Sequence, residues 1–169
     1  MDKPKLPEPW LRGTLGDVPP VQRAVLHALE LAQEDLRRWC GDLSDEEFNA
    51  RPAGIASVAF HIRHIARSMD RLLTYAEGGT LSAGQIAVMK QEMDAGAGRD
   101  EVFAELDRAI EAGAARVRRF SLESLSEPRS VGRQQMPTTV AGLLVHVADH
   151  TQRHVGQAIT TAKIVKSSG

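Results

Sequence analysis

The chain has 169 residues, of which 42% are hydrophobic and 25% are charged, proportions that are typical of a globular protein. Its 21 basic and 22 acidic residues leave a formal net charge of −1, which argues against a nucleic-acid partner held by a basic surface. No apolar run approaches the roughly 20 residues of a membrane-spanning helix, so we expect no membrane partner. The single cysteine, Cys40, excludes an internal disulfide, and we interpret it as a packing residue.

The segment 1–19 is rich in proline and shows no helical periodicity, so it predicts an extended arm. Trp10 and Leu11 are large apolar residues within it, and we expect them to dock on the body or on a second subunit. The segment lacks the apolar stretch of a secretory signal, which favours a cytoplasmic protein. We expect residues 20–165 to form one domain and residues 166–169 a disordered tail.

Four later segments repeat apolar residues at spacings of three and four, as on the buried face of a helix. They cover about residues 20–39, 57–77, 100–120 and 138–165. Ser44 begins a short acidic segment typical of a capped helical turn. Residues 82–95 predict a weaker helix in a crossover, and residues 129–135 a short extended stretch. The pattern predicts an all-α protein, an up-and-down four-helix bundle with an extended N-terminal arm.

Three histidines follow one another at intervals of four on the fourth predicted helix, at positions 146, 150 and 154. At 100° per residue, His154 lies in the apolar seam, with His150 about 40° and His146 about 80° outside it. His150 and His154 are therefore predicted to point inward, while His146 lies near the rim. A pair of histidines four residues apart on a helix offers two ligands to one metal ion.

A third ligand has to come from another helix, and the second predicted helix carries His61 and His64. The helical phase places His61 about 60° from the apolar seam and His64 about 120° from it, which favours His61. Three imidazoles suit zinc, nickel, iron or copper and leave coordination positions for water or substrate. His27, alone on the first helix, is interpreted as a hydrogen-bonded core histidine. The neighbouring polar residues that could orient the ligands are Asp149, Gln157, Arg63 and Arg67.

Two segments, SVAFHIRHIARSMDRLL and HVADHTQRHVGQ, resemble the DinB-like, YfiT-related superfamily of metal-binding four-helix bundles. The shared pattern is His64 followed by an apolar residue and alanine, and later His150 and His154 followed by a Gly-Gln pair. The resemblance covers about residues 21–165. It implies one divalent metal, zinc or nickel, on His64, His150 and His154, together with a homodimer. His61 falls where relatives carry an apolar residue, so His61 and His146 become neighbours that tune the site.

Some members of this family are transferases or isomerases that use a low-molecular-weight thiol, namely bacillithiol, mycothiol or glutathione, and many have no known activity. The resemblance implies a metal-dependent transferase or hydrolase, in which the metal activates such a thiol or water for transfer to a small electrophile. The alternative function is a non-catalytic metal-binding module that acts in a stress response or through dimerisation. A further alternative is that the histidines are structural and bind no metal.

Overall fold

The computed structural model describes residues 6–93 and 96–167. The described helices are α1 Pro20–Cys40, α2 Asp45–Asn49, α3 Val58–Ala76, α4 Ala83–Lys90, α5 Arg99–Val117 and α6 Val140–Ser167. Two short strands, β1 Pro128–Val131 and β2 Met136–Thr139, form an antiparallel hairpin, with Val131 opposite Met136. The prediction of an all-α protein is confirmed, with the hairpin as a small addition. None of the described helices combines the length and the apolar composition needed to cross a membrane.

Local capping residues explain where several helices begin. Ser44 and Glu47 form a capping box at α2, because the Ser44 hydroxyl accepts from the Glu47 amide and the Glu47 carboxylate accepts from the Ser44 amide. The Ser57 hydroxyl accepts from the Phe60 amide at the start of α3. The Thr139 hydroxyl accepts from the Gly142 amide at the start of α6. These caps satisfy backbone donors that a helix leaves without partners.

The four long helices are α1, α3, α5 and α6, and each of α1 and α3 packs against both α5 and α6. Helices α1 and α5 run in opposite directions: Gln22 near the start of α1 donates to the carbonyl of Phe120, just beyond the end of α5. Further along α1, Gln33 donates to Asp107, nearer the start of α5. Since the residue numbers of the two partners change in opposite senses, the pair is antiparallel.

Helices α3 and α5 run in the same direction. Arg67 pairs with Glu105, and further along both helices Glu77 pairs with Arg116. The connection between them contains α4, and its described residues 77–93 return alongside α3, where Val88 contacts Arg67 and Glu92 contacts His64. Its length allows α5 to begin at the same end of the molecule as α3.

Helices α1 and α6 also run in the same direction. Gln152 donates to the carbonyl of Ala28, and later on both helices Lys166 approaches the carbonyl of Trp39. In chain order the four long helices therefore run up, down, down and up. The expected strict up-and-down alternation is wrong between α3 and α5, because the crossover connection brings the chain back before α5 starts.

The core between the four helices consists almost entirely of aliphatic side chains. Examples with no more than 2% exposure are Val25, Leu29, Leu36, Ile62, Ile65, Leu106 and Leu144. Cys40 lies in the same core with no exposed area, and burial raises the pKa of its thiol to about 12. This environment fits the predicted packing role of Cys40 and keeps its thiol protonated at neutral pH.

The ion pairs of one arginine help to hold the N-terminal arm against α1. Arg12 pairs with Glu30 and Glu34 on α1, at 2.9 and 2.6 Å. Trp10 and Leu11 remain 61% and 57% exposed, so the body of the same chain covers less than half of each, and docking on a second subunit stays a prediction. Residues 1–5 of the predicted arm lie outside the described residues.

The last helix extends beyond the predicted end of the bundle. Lys166 and Ser167, placed in the predicted disordered tail, belong to α6. Lys166 contributes to this extension because its ammonium group lies 2.6 Å from a carboxylate oxygen of Asp42. Residues 168–169 of the predicted tail lie outside the described residues.

Candidate metal centre

Three histidines from two neighbouring helices come together on one side of the bundle. His64 lies on α3, while His150 and His154 lie one helical turn apart on α6. Each offers a ring nitrogen, and these nitrogens all lie within 4.8 Å of one another. All three side chains are half-buried. The cluster forms because α3 and α6 pack against each other with opposite directions, which brings the first third of α3 to the middle of α6.

His64 is oriented by a carboxylate from outside the two helices. Its Nδ1 donates to Glu92 Oε2 at 2.6 Å, and its Nε2 faces the Nε2 of His150 at 3.3 Å. The Phe60 ring stacks on the His64 ring with centroids 5.4 Å apart. In the neutral ring, with its one proton on Nδ1 and directed at the carboxylate, the Nε2 of His64 carries a lone pair.

His150 has the same protonation pattern, with a hydroxyl as the partner. Its Nδ1 lies 3.3 Å from Ser68 Oγ, while the Ser68 hydroxyl donates to the carbonyl of Ile65. The Ser68 oxygen is therefore left to accept the Nδ1 proton of His150. The Nε2 lone pair of His150 then points toward His64.

His154 is held by the second histidine of α3. Its Nδ1 lies 3.0 Å from the Nδ1 of His61, which is buried. If His154 donates and His61 accepts, the Nε2 of His154 is also unprotonated. Each histidine of the cluster thus has an outer partner for its Nδ1. The partners are a carboxylate, a hydroxyl and an imidazole.

The separation of the His64 and His150 nitrogens fits a shared metal ion. When both rings carry their proton on Nδ1, two Nε2 lone pairs face each other at 3.3 Å and repel, because neither nitrogen then has a proton to donate to the other. Ligands about 2.0–2.1 Å from one tetrahedral zinc ion lie roughly 3.3–3.4 Å apart. The donor set and the spacing therefore fit a divalent ion that prefers imidazole.

His150 and His154 are held in the neutral form that metal binding needs. Burial, with smaller contributions from neighbouring positive charges, lowers the pKa of His150 to about 4 and that of His154 to about 3. Burial and His64 lower the pKa of His61 to about 4. At neutral pH these rings present lone pairs rather than a second proton.

Glu92 is the site residue that sequence analysis missed. The carboxylate is buried and also accepts a hydrogen bond from Arg71 Nη1. Burial opposes its ionisation, but the bonds to His64 and Arg71 outweigh burial and lower the pKa of Glu92 below its usual value. Glu92 follows the end of α4, within the predicted weak helix 82–95, and nothing in the local pattern marks it. Residues 94–95 of that predicted helix lie outside the described residues.

The predicted neighbours of the metal separate into two groups. His61 contacts His154, and the exposed His146 contacts His150 with ring centroids 5.5 Å apart, so both border the cluster. Two of the other candidates, Asp149 and Arg67, pair with residues outside the three rings. Asp149 pairs with Arg153 and lies near His146, Gln157 is exposed, Arg67 pairs with Glu105, and Arg63 is half-buried on α3.

A helical fold with three convergent histidines from two helices defines the class of the protein as a helical bundle with a candidate metal centre. The family model of the DinB superfamily matches residues 28–158, a range that contains all three histidines. The chain belongs to the DinB superfamily. No curated protein matches the sequence.

Proposed function

We propose that the chain binds one divalent metal ion, zinc or nickel, through the Nε2 atoms of His64, His150 and His154. The observation that carries this proposal is the distinct Nδ1 partner of each ring. Glu92, Ser68 and His61 take the Nδ1 positions, which leaves the Nε2 atoms for one shared ligand. Outer partners of this kind orient a ligating imidazole and raise its basicity.

We further propose that the protein is a metal-dependent transferase or hydrolase located in the cytoplasm. Three protein ligands leave a coordination position open, and a metal bound there would acidify a water or a low-molecular-weight thiol for attack on a small electrophile. The chain itself contributes the rigid orientation of the ligands. Glu92 supplies a buried negative charge next to His64, and Arg71 holds that charge in place.

Elemental analysis of the purified protein tests the metal site. We expect about one metal per chain in the parent and none in the double variant His150→Ala, His154→Ala. His146→Ala is the matched control, since it removes an exposed histidine from the same helix, and it should retain the metal. Absence of metal in the parent, even after reloading with zinc or nickel, would contradict the proposal.

Turnover assays then test the enzyme. With bacillithiol, mycothiol or glutathione and a panel of small electrophiles, the parent and His146→Ala should be active and the double variant inactive. A metal-bound parent that turns over neither thiol nor water would favour the non-catalytic alternative. Activity that persists unchanged in the metal-free variant would contradict a metal-dependent mechanism.

The alternative, a metal-binding module that works through homodimerisation, is favoured by one observation. Trp10 and Leu11 expose most of their apolar surface on the short 3₁₀ turn of the arm. Large apolar residues of this kind are enriched at protein interfaces. We expect the parent to be a dimer by light scattering and Trp10→Ser, Leu11→Ser to shift it toward the monomer. A parent that is already monomeric would contradict this proposal.

A further inference from the structure

A cavity lies apart from the histidines, between the crossover that contains α4 and the β1–β2 hairpin. It has a volume of about 840 Å³, within the usual range for small-molecule sites. Its walls come from the end of α3, the turn that follows, α4 and the β1–β2 hairpin. On α3, Tyr75 is eleven residues beyond His64, or roughly 16 Å along the helix axis. The cavity is therefore a site separate from the metal centre.

One wall of this cavity is apolar without belonging to the hydrophobic core. It includes Tyr75, Leu81, Ile86 and Met89. None of these four side chains is part of the described core cluster. Met89 is 42% exposed, and the other three are half-buried. A ligand with an apolar body would gain free energy by covering this wall, at about 25 cal/mol for each Å² removed from water.

The opposite wall is made by the hairpin and carries positive charge. Arg129 is committed to the protein, because it donates to the carbonyl of Ala76 at 2.7 Å and pairs with Glu127 at 2.8 Å. These bonds join β1 to the end of α3 and fix the shape of the wall. Arg133, in the turn of the hairpin, is exposed and forms no ion pair within the described part of the chain.

No acidic side chain lines the cavity among the described residues, so the charge that Arg133 brings is not balanced within it. We propose that the cavity binds a small amphipathic anion, an apolar chain or ring that ends in a carboxylate. The apolar body lies against α4, and the carboxylate faces Arg133. This binding does not depend on the metal centre or on its proposed chemistry.

Calorimetric titration of the full-length protein with decanoate tests the proposal. We expect one saturable site per chain, with decanoate binding about two- to fivefold more tightly than decanol because of Arg133. Arg133→Gln should remove that preference, while Arg38→Gln, which changes an exposed arginine on α1, should keep it. Equal affinity of the parent for decanoate and decanol, or no saturable binding, would overturn the proposal.

Two neighbouring substitutions on α4 locate the binding. Met89→Asp places a carboxylate in the apolar wall and should weaken decanoate binding by at least about tenfold. Val88→Asp is the matched control: Val88 is also exposed but lines a different cavity, so binding should stay within about twofold of the parent. Both variants should retain the parent's circular dichroism spectrum. Equal losses in the two variants would overturn the assignment.

The metal-free double variant His150→Ala, His154→Ala separates this site from the metal centre. We expect it to bind decanoate as tightly as the parent, whether or not the parent proves to contain metal. Loss of decanoate binding in this variant would mean that the carboxylate binds at the metal, and the proposal for the cavity would fail.

Discussion

The role of Glu92 in the candidate metal centre leads to a quantitative prediction for Glu92→Gln. The substitution keeps the size of the side chain but removes the negative charge that accepts the Nδ1 proton of His64 at 2.6 Å. Loss of an outer partner of a ligating histidine weakens metal binding by about 10- to 100-fold. This range corresponds to about 1.4–2.8 kcal/mol of binding free energy. The buried position of Glu92 places the effect toward the upper part of the range, since solvent screens the lost charge only weakly.

Competition between the protein and a chromogenic chelator for zinc measures this change directly. Glu105→Gln is the matched control, because Glu105 pairs with Arg67 on the neighbouring turn of α3 but does not contact the histidines. It should leave the zinc affinity within about twofold of the parent. The reasoning is refuted if Glu92→Gln binds zinc as tightly as the parent, or if both variants lose affinity equally.

Arg71 complicates a simple interpretation, because Glu92→Gln also removes the negative partner of this half-buried guanidinium. An unpaired buried charge destabilises the fold. Thermal unfolding of the metal-free proteins separates the two effects. A lower Tm with unchanged zinc affinity would mean that Glu92 acts only in stability, whereas the proposed orienting role requires weaker zinc binding in protein that is still folded at the assay temperature.

Three further predictions concern His61, the cluster's response to pH, and Cys40. His61→Leu leaves the Nδ1 proton of His154 without its acceptor, and we expect zinc affinity to fall about tenfold by the same chelator assay; an unchanged affinity would contradict the proposed orientation of His154. The metal-free protein should lose stability as the pH falls from 7 to 5, because the unfolded chain takes up protons near pH 6.5 while His150 and His154 titrate at about 4 and 3 when folded. If the Tm measured by circular dichroism does not change between pH 7 and pH 5, the claim that folding keeps His150 and His154 neutral is contradicted. Cys40 should resist iodoacetamide at pH 8 in the native protein and react rapidly in denaturant, as read by mass spectrometry; rapid native alkylation would contradict its burial and its pKa of about 12.

The choice between His61 and His64 shows how far helical phase could be taken. Phase correctly places His61 on the more buried face of α3, where its side chain contacts His154. The ring that joins His150 and His154 in one group of converging nitrogens is that of His64. The helical phase of the apolar residues gives the direction from the axis of α3 to the hydrophobic core. The histidine cluster lies to one side of that direction, where α3 meets α6 and Glu92 of the crossover.

The order of helix directions could not be obtained from the sequence. Apolar periodicity identifies each long helix separately, because the repeat depends only on residues within one or two turns. Whether α5 is parallel or antiparallel to α3 depends on the path of the connection between them. The composition of this connection is compatible with a direct turn, which would make the helices antiparallel, and with a return along the bundle, which makes them parallel. Packing of α4 beside α3 decides between them.

By itself, therefore, the sequence determined the features that depend on nearby residues: the long helices, the cap at Ser44, and the two histidines four residues apart on α6. Only the tertiary structure decided which residues distant in the sequence contact the histidines. Glu92 is 28 residues from His64, and no local pattern relates the two. The crossover brings this carboxylate to the ring, because its buried charge is stabilised there by both His64 and Arg71.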